Sequence, residues 1–126
     1  MTRVPLHVVA GPARSGKSAL IARMLNARER WLGMENARLA AAHPMLRPLP
    51  LGCPCCTART AFQVGPARAL RETRAERIFI ELADPAHLGA LRRVLGKWPL
   101  TRYVERARDI RLPEDAALAP EALERA

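Results

Sequence analysis

The amino-acid sequence predicts a single-domain α/β fold, in which a mostly parallel sheet is covered by helices on both faces. Short apolar runs typical of buried strands alternate with segments whose apolar residues recur every three or four positions, as in amphipathic helices. Strands joined by helical crossovers run parallel, because the helix returns the chain to the same edge of the sheet. At 126 residues, the chain has the length of one domain.

The first predicted unit is a strand over residues 5–10, a loop over 11–18 and a helix over 18–28. The loop fits the pattern G-x-x-x-x-G-K-[ST], which binds phosphate in nucleotide hydrolases and kinases. The helix offers its N-terminal N–H groups and the positive end of its dipole to an anion. This context favours phosphate binding over a glycine-rich turn without a ligand, and it predicts a minimal domain of the P-loop NTPase type.

The loop motif assigns chemistry to particular side chains. Lys17 is expected to reach the β- and γ-phosphate oxygens, and Ser18 is expected to hold Mg²⁺. The residues predicted to bind the nucleotide are Gly11, Ala13, Arg14, Ser15, Gly16, Lys17 and Ser18.

Prolines interrupt the middle of the chain. After a predicted second strand over 31–34, residues 37–50 contain three prolines and are expected to form a mobile loop or a short helical turn. Residues 60–73 have a helical pattern, but the pair Gly65-Pro66 predicts a break or a kink, followed by a helix over 66–75.

The remaining pattern completes one nucleotide-binding domain. The clearest strand is predicted over 77–81, and the next helix is expected to end at Gly96. Loose alternation over 100–112 predicts a last strand. We therefore expect a domain over 1–112, followed by a tail over 113–126 that forms a short helix or a frayed end.

Glu81 and Asp84 are acidic residues near the end of the clearest strand. A P-loop protein carries its second acidic residue at this place, so Glu81 is expected to hold Mg²⁺ through water or to orient the attacking water. Lys17 and Glu81 are thus the candidate catalytic residues. For Asp84, a contact with Mg²⁺ or the γ-phosphate is less favoured than a helix N-cap, because proline follows at the first helical position.

The three cysteines form a second motif, C-x-C-C, at Cys53, Cys55 and Cys56. Their thiolates can converge on one thiophilic ion, with Zn²⁺ the first choice and Cu(I) the rival. The fourth ligand would be water, Glu35 or His43, and the spacing compels none of these; for His43 a solvated loop position is favoured. An odd, clustered set argues against disulfides and for reduced thiols in the cytoplasm.

Charge and hydropathy limit the partners. The net charge is +9, but the arginines are scattered and aromatic residues make up only 4% of the chain. This favours a solvated surface over nucleic-acid binding. The chain has no run of 18 apolar residues that could span a membrane and no recognisable signal peptide, so a cytoplasmic location is expected.

Three motifs in this order, G-P-A-R-S-G-K-S, G-C-P-C-C and R-I-F-I-E-L-A-D-P, resemble the CobW-type family of P-loop GTPases, which includes cobalamin-synthesis proteins and zinc metallochaperones. The resemblance covers roughly residues 5–100. It implies a GTPase domain that binds zinc or a related metal through C-x-C-C and couples GTP hydrolysis to metal delivery to a client protein. Position by position, the resemblance implies that phosphates and Mg²⁺ are bound by Gly11, Gly16, Lys17 and Ser18. It implies that the metal is bound by Cys53, Cys55 and Cys56. It also implies that Glu81 assists hydrolysis.

The chain also departs from the family's pattern. It has no N-K-x-D or S-K-x-D motif to read guanine, and the segment after Glu81 is shorter and lacks the glycine that contacts the γ-phosphate. The sequence therefore predicts a truncated or reduced member, or the front part of a split system. The leading hypothesis is a small, slowly hydrolysing GTP-binding metallochaperone. The alternatives are a nucleotide- and metal-binding protein without hydrolysis and a small ATP-dependent phosphotransferase.

Overall fold

The computed structural model describes residues 3–35, 43–49, 59–82 and 84–125. Within them, strands and helices alternate as the sequence predicts. The strands are β1 (Val4–Ala10), β2 (Trp31–Glu35), β3 (Leu46–Pro48), β4 (Arg77–Leu82), β5 (Val104–Arg106) and β6 (Ile110–Arg111). The helices are α1 (Lys17–Ala27), α2 (Arg59–Thr73), α3 (Leu88–Leu95) and α4 (Pro120–Glu124), with short 3₁₀ turns at Pro85–His87 and Leu100–Arg102.

The described strands form one sheet in the order β3-β2-β4-β1-β5, with β6 also paired to β1. Every strand pairing is parallel, which confirms the predicted sheet. Val9 of β1 lies opposite Glu81 of β4, and Ala10 lies opposite Arg111 of β6. The carboxyl ends of three neighbouring strands therefore meet beside the loop that follows β1.

Two hydrophobic layers cover the sheet, one on each face. Alternate residues of β1 point to opposite faces, so Val8 packs in the layer of α2 and α3, whereas Val9 packs in the layer of α1 and α4. Both side chains are almost completely buried. This confirms the prediction that helices lie on both faces.

Helix α2 continues through Pro66, so the predicted break and the separate helix over 66–75 are wrong. A proline inside a helix removes one backbone hydrogen bond and costs about 3 kcal/mol. Burial offsets this cost, because Phe62 before the proline and Leu70 after it both enter the core. The helix ends at Thr73, and the backbone of Arg74 then turns into the left-handed region at φ 53°.

The proline-rich stretch contains a short edge strand, β3, where a loop or helical turn was expected. Leu46 is buried and pairs with Gly33, which holds the strand in the sheet. Pro48 is tolerated because an edge strand leaves one side of its backbone unpaired. The last strand predicted over 100–112 is divided in the structure into a 3₁₀ turn, β5 and β6.

The predicted caps at Asp84 and Gly96 agree with the structure, and the C-terminal segment forms a short helix, one of its two predicted forms. The side chain of Asp84 accepts a hydrogen bond of 3.0 Å from the Ala86 N–H, so it caps the turn before α3, and Gly96 is the C-cap of α3. The C-terminal segment contains the short helix α4, whose Leu123 packs into the layer of α1. No helix in the described part of the chain is long and apolar enough to cross a membrane.

His7 is a buried polar residue in the centre of the sheet. Its Nδ1–H donates to the Arg108 carbonyl at 2.7 Å, and its Nε2 accepts from Arg77 Nη1 at 2.8 Å, while the ring stacks on Phe79. These partners require the neutral imidazole. The pKa of His7 is lowered to about 4, mainly by burial and in smaller part by the nearby Arg77 charge, while the hydrogen bond to the Arg108 carbonyl opposes the shift.

We expect a substitution of Gly33 to destabilise the sheet. A Cβ at this position would lie 2.6 Å from Ile21 Cγ2 and 3.1 Å from Leu25 Cδ1, in a packed layer. Gly33→Ala should therefore cost about 1–3 kcal/mol of unfolding free energy, measured by urea denaturation. The control is Gly65→Ala in α2, where the nearest atom is 3.9 Å away and where the change should be neutral or stabilising. Equal effects of both substitutions would contradict this packing.

We expect acid to destabilise the fold through His7. The folded-state pKa is about 4, below the ordinary 6.5, so its contribution to stability is complete above pH 6.5 and is lost as the pH falls toward 4. Linkage gives a loss of about 2 kcal/mol between pH 8 and pH 5. His7→Gln keeps a donor and an acceptor but does not titrate, so its unfolding free energy should fall less over this range. Parallel pH profiles for both proteins would rule out His7 as the cause.

Candidate nucleotide and metal site

The loop between β1 and α1 needs glycine at two positions for different reasons. Gly16 has φ 98°, in the left-handed region, while a Cβ there would meet no atom within 4 Å. At Gly11 the constraint is space, because a Cβ would lie 2.5 Å from Ser15 Oγ and 3.0 Å from the Leu112 carbonyl oxygen. The loop is thus curled tightly onto the end of β6. Arg14 also has positive φ, at 62°.

Lys17 is buried at the start of α1, with a relative exposure of 8%. Its Nζ donates to the carbonyl oxygens of Gly11 and Pro12 at 2.8 and 2.9 Å, which offsets the cost of burying an ammonium group. An ammonium group has three donors, and no third bond forms among the described residues. Lys17 therefore lies over the first two residues of the loop with one donor left for a phosphate oxygen.

The head of α1 offers further donors. The first intrahelical bond runs from the Leu20 N–H to the Gly16 carbonyl at 2.9 Å. The N–H groups that precede Leu20 in the helix have no partner within the helix itself. The Ser15 hydroxyl is buried without a hydrogen bond in the described part of the chain. These groups lie together at the place where the motif predicts an anion-binding site.

Glu35, at the end of β2, is the main addition that the structure makes to the predicted site. The residue is 2% exposed, and its Oε2 has no hydrogen-bond partner among the described residues. Burial raises the pKa of Glu35; the Ser18 hydroxyl opposes the shift by hydrogen bonding, and the charge of Glu81 adds to it. Two carboxylates and one hydroxyl thus converge from β2, β4 and α1.

This donor set suits a hard divalent cation. Carboxylate and hydroxyl oxygens are the protein ligands that Mg²⁺ prefers, and a cation would relieve the repulsion between Glu35 and Glu81. The unpartnered Oε2 of Glu35 supplies a lone pair for it. The residues present therefore fit Mg²⁺ beside Ser18, as the sequence predicts. Glu35, which the sequence offered as a fourth ligand of the cysteine site, is here a candidate ligand of Mg²⁺.

A cavity of about 200 Å³ opens beside this cluster. Ser18, Glu35 and His43 contribute to its wall, together with apolar side chains of α1 and Leu46. His43 Nδ1 accepts a hydrogen bond of 3.0 Å from the Met45 N–H. A neutral imidazole has a single lone pair, and here that pair is used. His43 would have to give up this bond before it could serve as a fourth metal ligand.

Of the other predicted site residues, the two acidic residues near the end of β4 lie in the described structure and the three cysteines do not. Glu81 is half-buried in β4 beside β1, at the strand end where it was expected, and Asp84 serves as a cap. Cys53, Cys55 and Cys56 lie outside the described residues. Within the described ranges, no group of three or more His, Cys, Asp or Glu side chains could hold a metal ion.

We expect Glu35→Gln to stabilise the ligand-free protein at pH 8, because it removes a buried charge that lacks a full set of partners. A gain of about 1 kcal/mol in urea denaturation is reasonable for such a group. The advantage should vanish at acid pH, since a raised pKa means that the wild-type carboxyl is then protonated. Added Mg²⁺ should stabilise the wild type more than the variant.

The control is Glu29→Gln, which removes one negative charge from an exposed position. It should change neither the pH profile nor the response to Mg²⁺. If Glu35→Gln were less stable than the wild type at pH 8, the carboxylate would have favourable partners, and the site as described would be wrong.

Comparison with known proteins identifies the family. Residues 5–95 match the family described as CobW/HypB/UreG, nucleotide-binding domain. A curated relative, the zinc chaperone YeiR of Escherichia coli strain K12, is 32% identical over 107 residues, which cover 75% of this chain. The chain spans 31% of the length of that relative. No solved structure gives a significant match. The family match covers the greater part of the chain, including the loop, Glu35 and Glu81, so the chain belongs to the CobW/HypB/UreG family and carries its nucleotide-binding domain.

Proposed function

We propose that this chain is a small GTP-binding, metallochaperone-like module, which binds GTP with Mg²⁺ and handles zinc or a similar thiophilic ion through its C-x-C-C motif. The observation that carries the proposal is the hydrogen bond of Ser18 to the buried Glu35, next to Lys17, whose Nζ lies over the start of the loop. The family and a relative named as a zinc chaperone support it.

In this proposal, the N-terminus of α1, Lys17, Ser18 and Glu35 bind different parts of the nucleotide and its Mg²⁺. The free N–H groups at the head of α1 bind the α- and β-phosphates, and Lys17 turns its remaining donor to the β/γ oxygens. Ser18 and Glu35 hold Mg²⁺, which neutralises phosphate charge when it is bound. The loop needs little rearrangement, because Lys17 already lies over Gly11 and Pro12.

Hydrolysis is proposed to be slow. Glu81 is the acidic side chain at the end of β4 and is assigned to orient the attacking water. The residue that could assist it three positions later, Asp84, already caps the turn before α3. That cap is the observation that favours the alternative, a nucleotide- and metal-binding protein without hydrolysis. Nothing in the described structure favours the phosphotransferase hypothesis.

Metal and nucleotide binding are proposed to be coupled through β2 and β3. The Leu49 N–H donates to the Glu35 carbonyl oxygen at 2.8 Å. The chain that leads to the cysteines is therefore attached to the strand end that carries Glu35. A metal ion held by Cys53, Cys55 and Cys56 would bias the Glu35 end of β2, and a nucleotide with Mg²⁺ would bias it from the other side. By linkage, each ligand must then change the affinity of the other by the same factor.

The test is nucleotide affinity measured by calorimetry with and without Zn²⁺, for GTP and for ATP. We expect Zn²⁺ to shift the affinity of the wild type severalfold, since coupling energies are commonly about 1–3 kcal/mol. Cys55→Ser should lose stoichiometric zinc in metal analysis and should lose the shift, while it still binds nucleotide. Lys17→Ala should lose nucleotide binding and keep zinc.

Each outcome separates one part of the proposal. Equal nucleotide affinity with and without Zn²⁺ would exclude the coupling. Absence of zinc from the wild type would exclude the metal function and leave nucleotide binding. Turnover of GTP that disappears in Lys17→Ala would support the slow hydrolase, and no turnover of GTP or ATP would support the alternative.

A further inference from the structure

A second cavity, of about 170 Å³, lies on the other side of the loop from Glu35. Its wall is formed by Gly11 and Pro12 of the loop, by Pro85 after β4, and by Arg111 and Glu114 at the end of β6. It has room for several water molecules. Among the described residues, Arg111 is the one cationic residue in this wall.

The backbone of Arg111 is held firmly against the loop. Its N–H donates to Asp115 Oδ2 at 2.8 Å, and its carbonyl oxygen accepts from the Asp115 N–H at 2.7 Å. The next residue, Leu112, donates to the Ala10 carbonyl oxygen at 2.8 Å. These bonds fix where the side chain of Arg111 begins, and none of them uses the guanidinium group.

The guanidinium group of Arg111 is exposed and forms no ion pair within the described residues, whereas Arg108 nearby is paired with Asp115. Glu114 lines the same cavity, and no ion pair joins it to Arg111. A guanidinium group presents rigid paired donors that match a phosphate. Arg111 is therefore available to an anion that enters the cavity, while the carboxylate of Glu114 opposes one.

The position of Lys17 indicates which part of a nucleotide lies nearest. Its Nζ is bonded to the carbonyl oxygens of Gly11 and Pro12, and these residues also form the wall of the Arg111 cavity. In P-loops the α/β-phosphates lie at the helix N-terminus, and the lysine marks the β/γ end. Pro85, which also lines the cavity, follows the strand that carries Glu81. The cavity thus adjoins the γ-phosphate end.

We infer that Arg111 contacts the terminal phosphate of a bound nucleoside triphosphate, so that the end of β6 makes the site prefer triphosphate over diphosphate. The inference rests on the proposed nucleotide binding and deepens it. Pro85 in the wall of this cavity has no backbone N–H to donate to a phosphate. Arg111 supplies positive charge to the cavity from the other side of β1.

The test compares affinities for the β,γ-imido analogues of GTP and ATP with those for GDP and ADP, all with Mg²⁺. Arg111→Ala should weaken the triphosphate analogue about 10-fold or more, as expected for a charge-assisted contact, and should change diphosphate affinity less than 2-fold. Arg111→Lys should recover part of the loss. Glu114→Gln should tighten the triphosphate analogue, because it removes an opposing charge.

Arg106→Ala is the matched control, since it removes one exposed positive charge from β5 and should leave both affinities unchanged. Unfolding temperatures show whether each variant folds; Arg111→Ala should fold normally because the backbone bonds to Asp115 remain. An equal loss for triphosphate and diphosphate, or no loss for either, would overturn the inference. A wild type that binds none of the four nucleotides would overturn the proposed function instead.

Discussion

The parallel pairing of β1 with its neighbours on both sides is the constraint on which the site depends. Parallel strands end at the same edge of a sheet, and ligands of open α/β sheets bind at that edge. The loop at Gly11, Glu35, Glu81 and Arg111 all lie at or beside such ends, on β1, β2, β4 and β6. Parallel strand pairing alone thereby brings together residues up to a hundred positions apart in the sequence.

Around the loop, the carboxyl edge of the sheet has one negatively charged half and one positively charged half. Glu35 and Glu81 lie on one side, where burial and mutual repulsion raise the pKa of Glu35. Lys17 lies over the first residues of the loop, and Arg111 lies beside them at the end of β6. A phosphate chain that carries a divalent cation has the complementary arrangement. Its cation can face the carboxylates, while its oxygens face the positively charged side chains of Lys17 and Arg111. Either half alone would bind such a ligand more weakly than both halves together.

The parts of this candidate site that depend on local motif spacing and strand patterns could be predicted from the sequence. The loop motif fixes Gly11, Gly16 and Lys17 by spacing, and Glu81 follows from a clear strand end. Helix α2 was misjudged because the local cost of Pro66 is visible in the sequence, whereas the burial that offsets it depends on the distant core. Arg111 was missed for a related reason, because only the long-range register of β6 against β1 brings it to the loop.

Glu35 links the chemistry of the site to β3, at one end of the described strand order. Strand β3 has three residues and pairs, among the described strands, with β2 alone. It is also the last described strand before the segment that contains the cysteines, and the Leu49 N–H bonds to the Glu35 carbonyl. A cation bound to the native state stabilises that state by mass action. Since the side chain and the carbonyl of Glu35 belong to one residue, a cation on its carboxylate would also favour the backbone bond to Leu49. In the proposed coupling, the C-x-C-C motif and the proposed nucleotide site would communicate through this backbone bond rather than through a long chain of side chains.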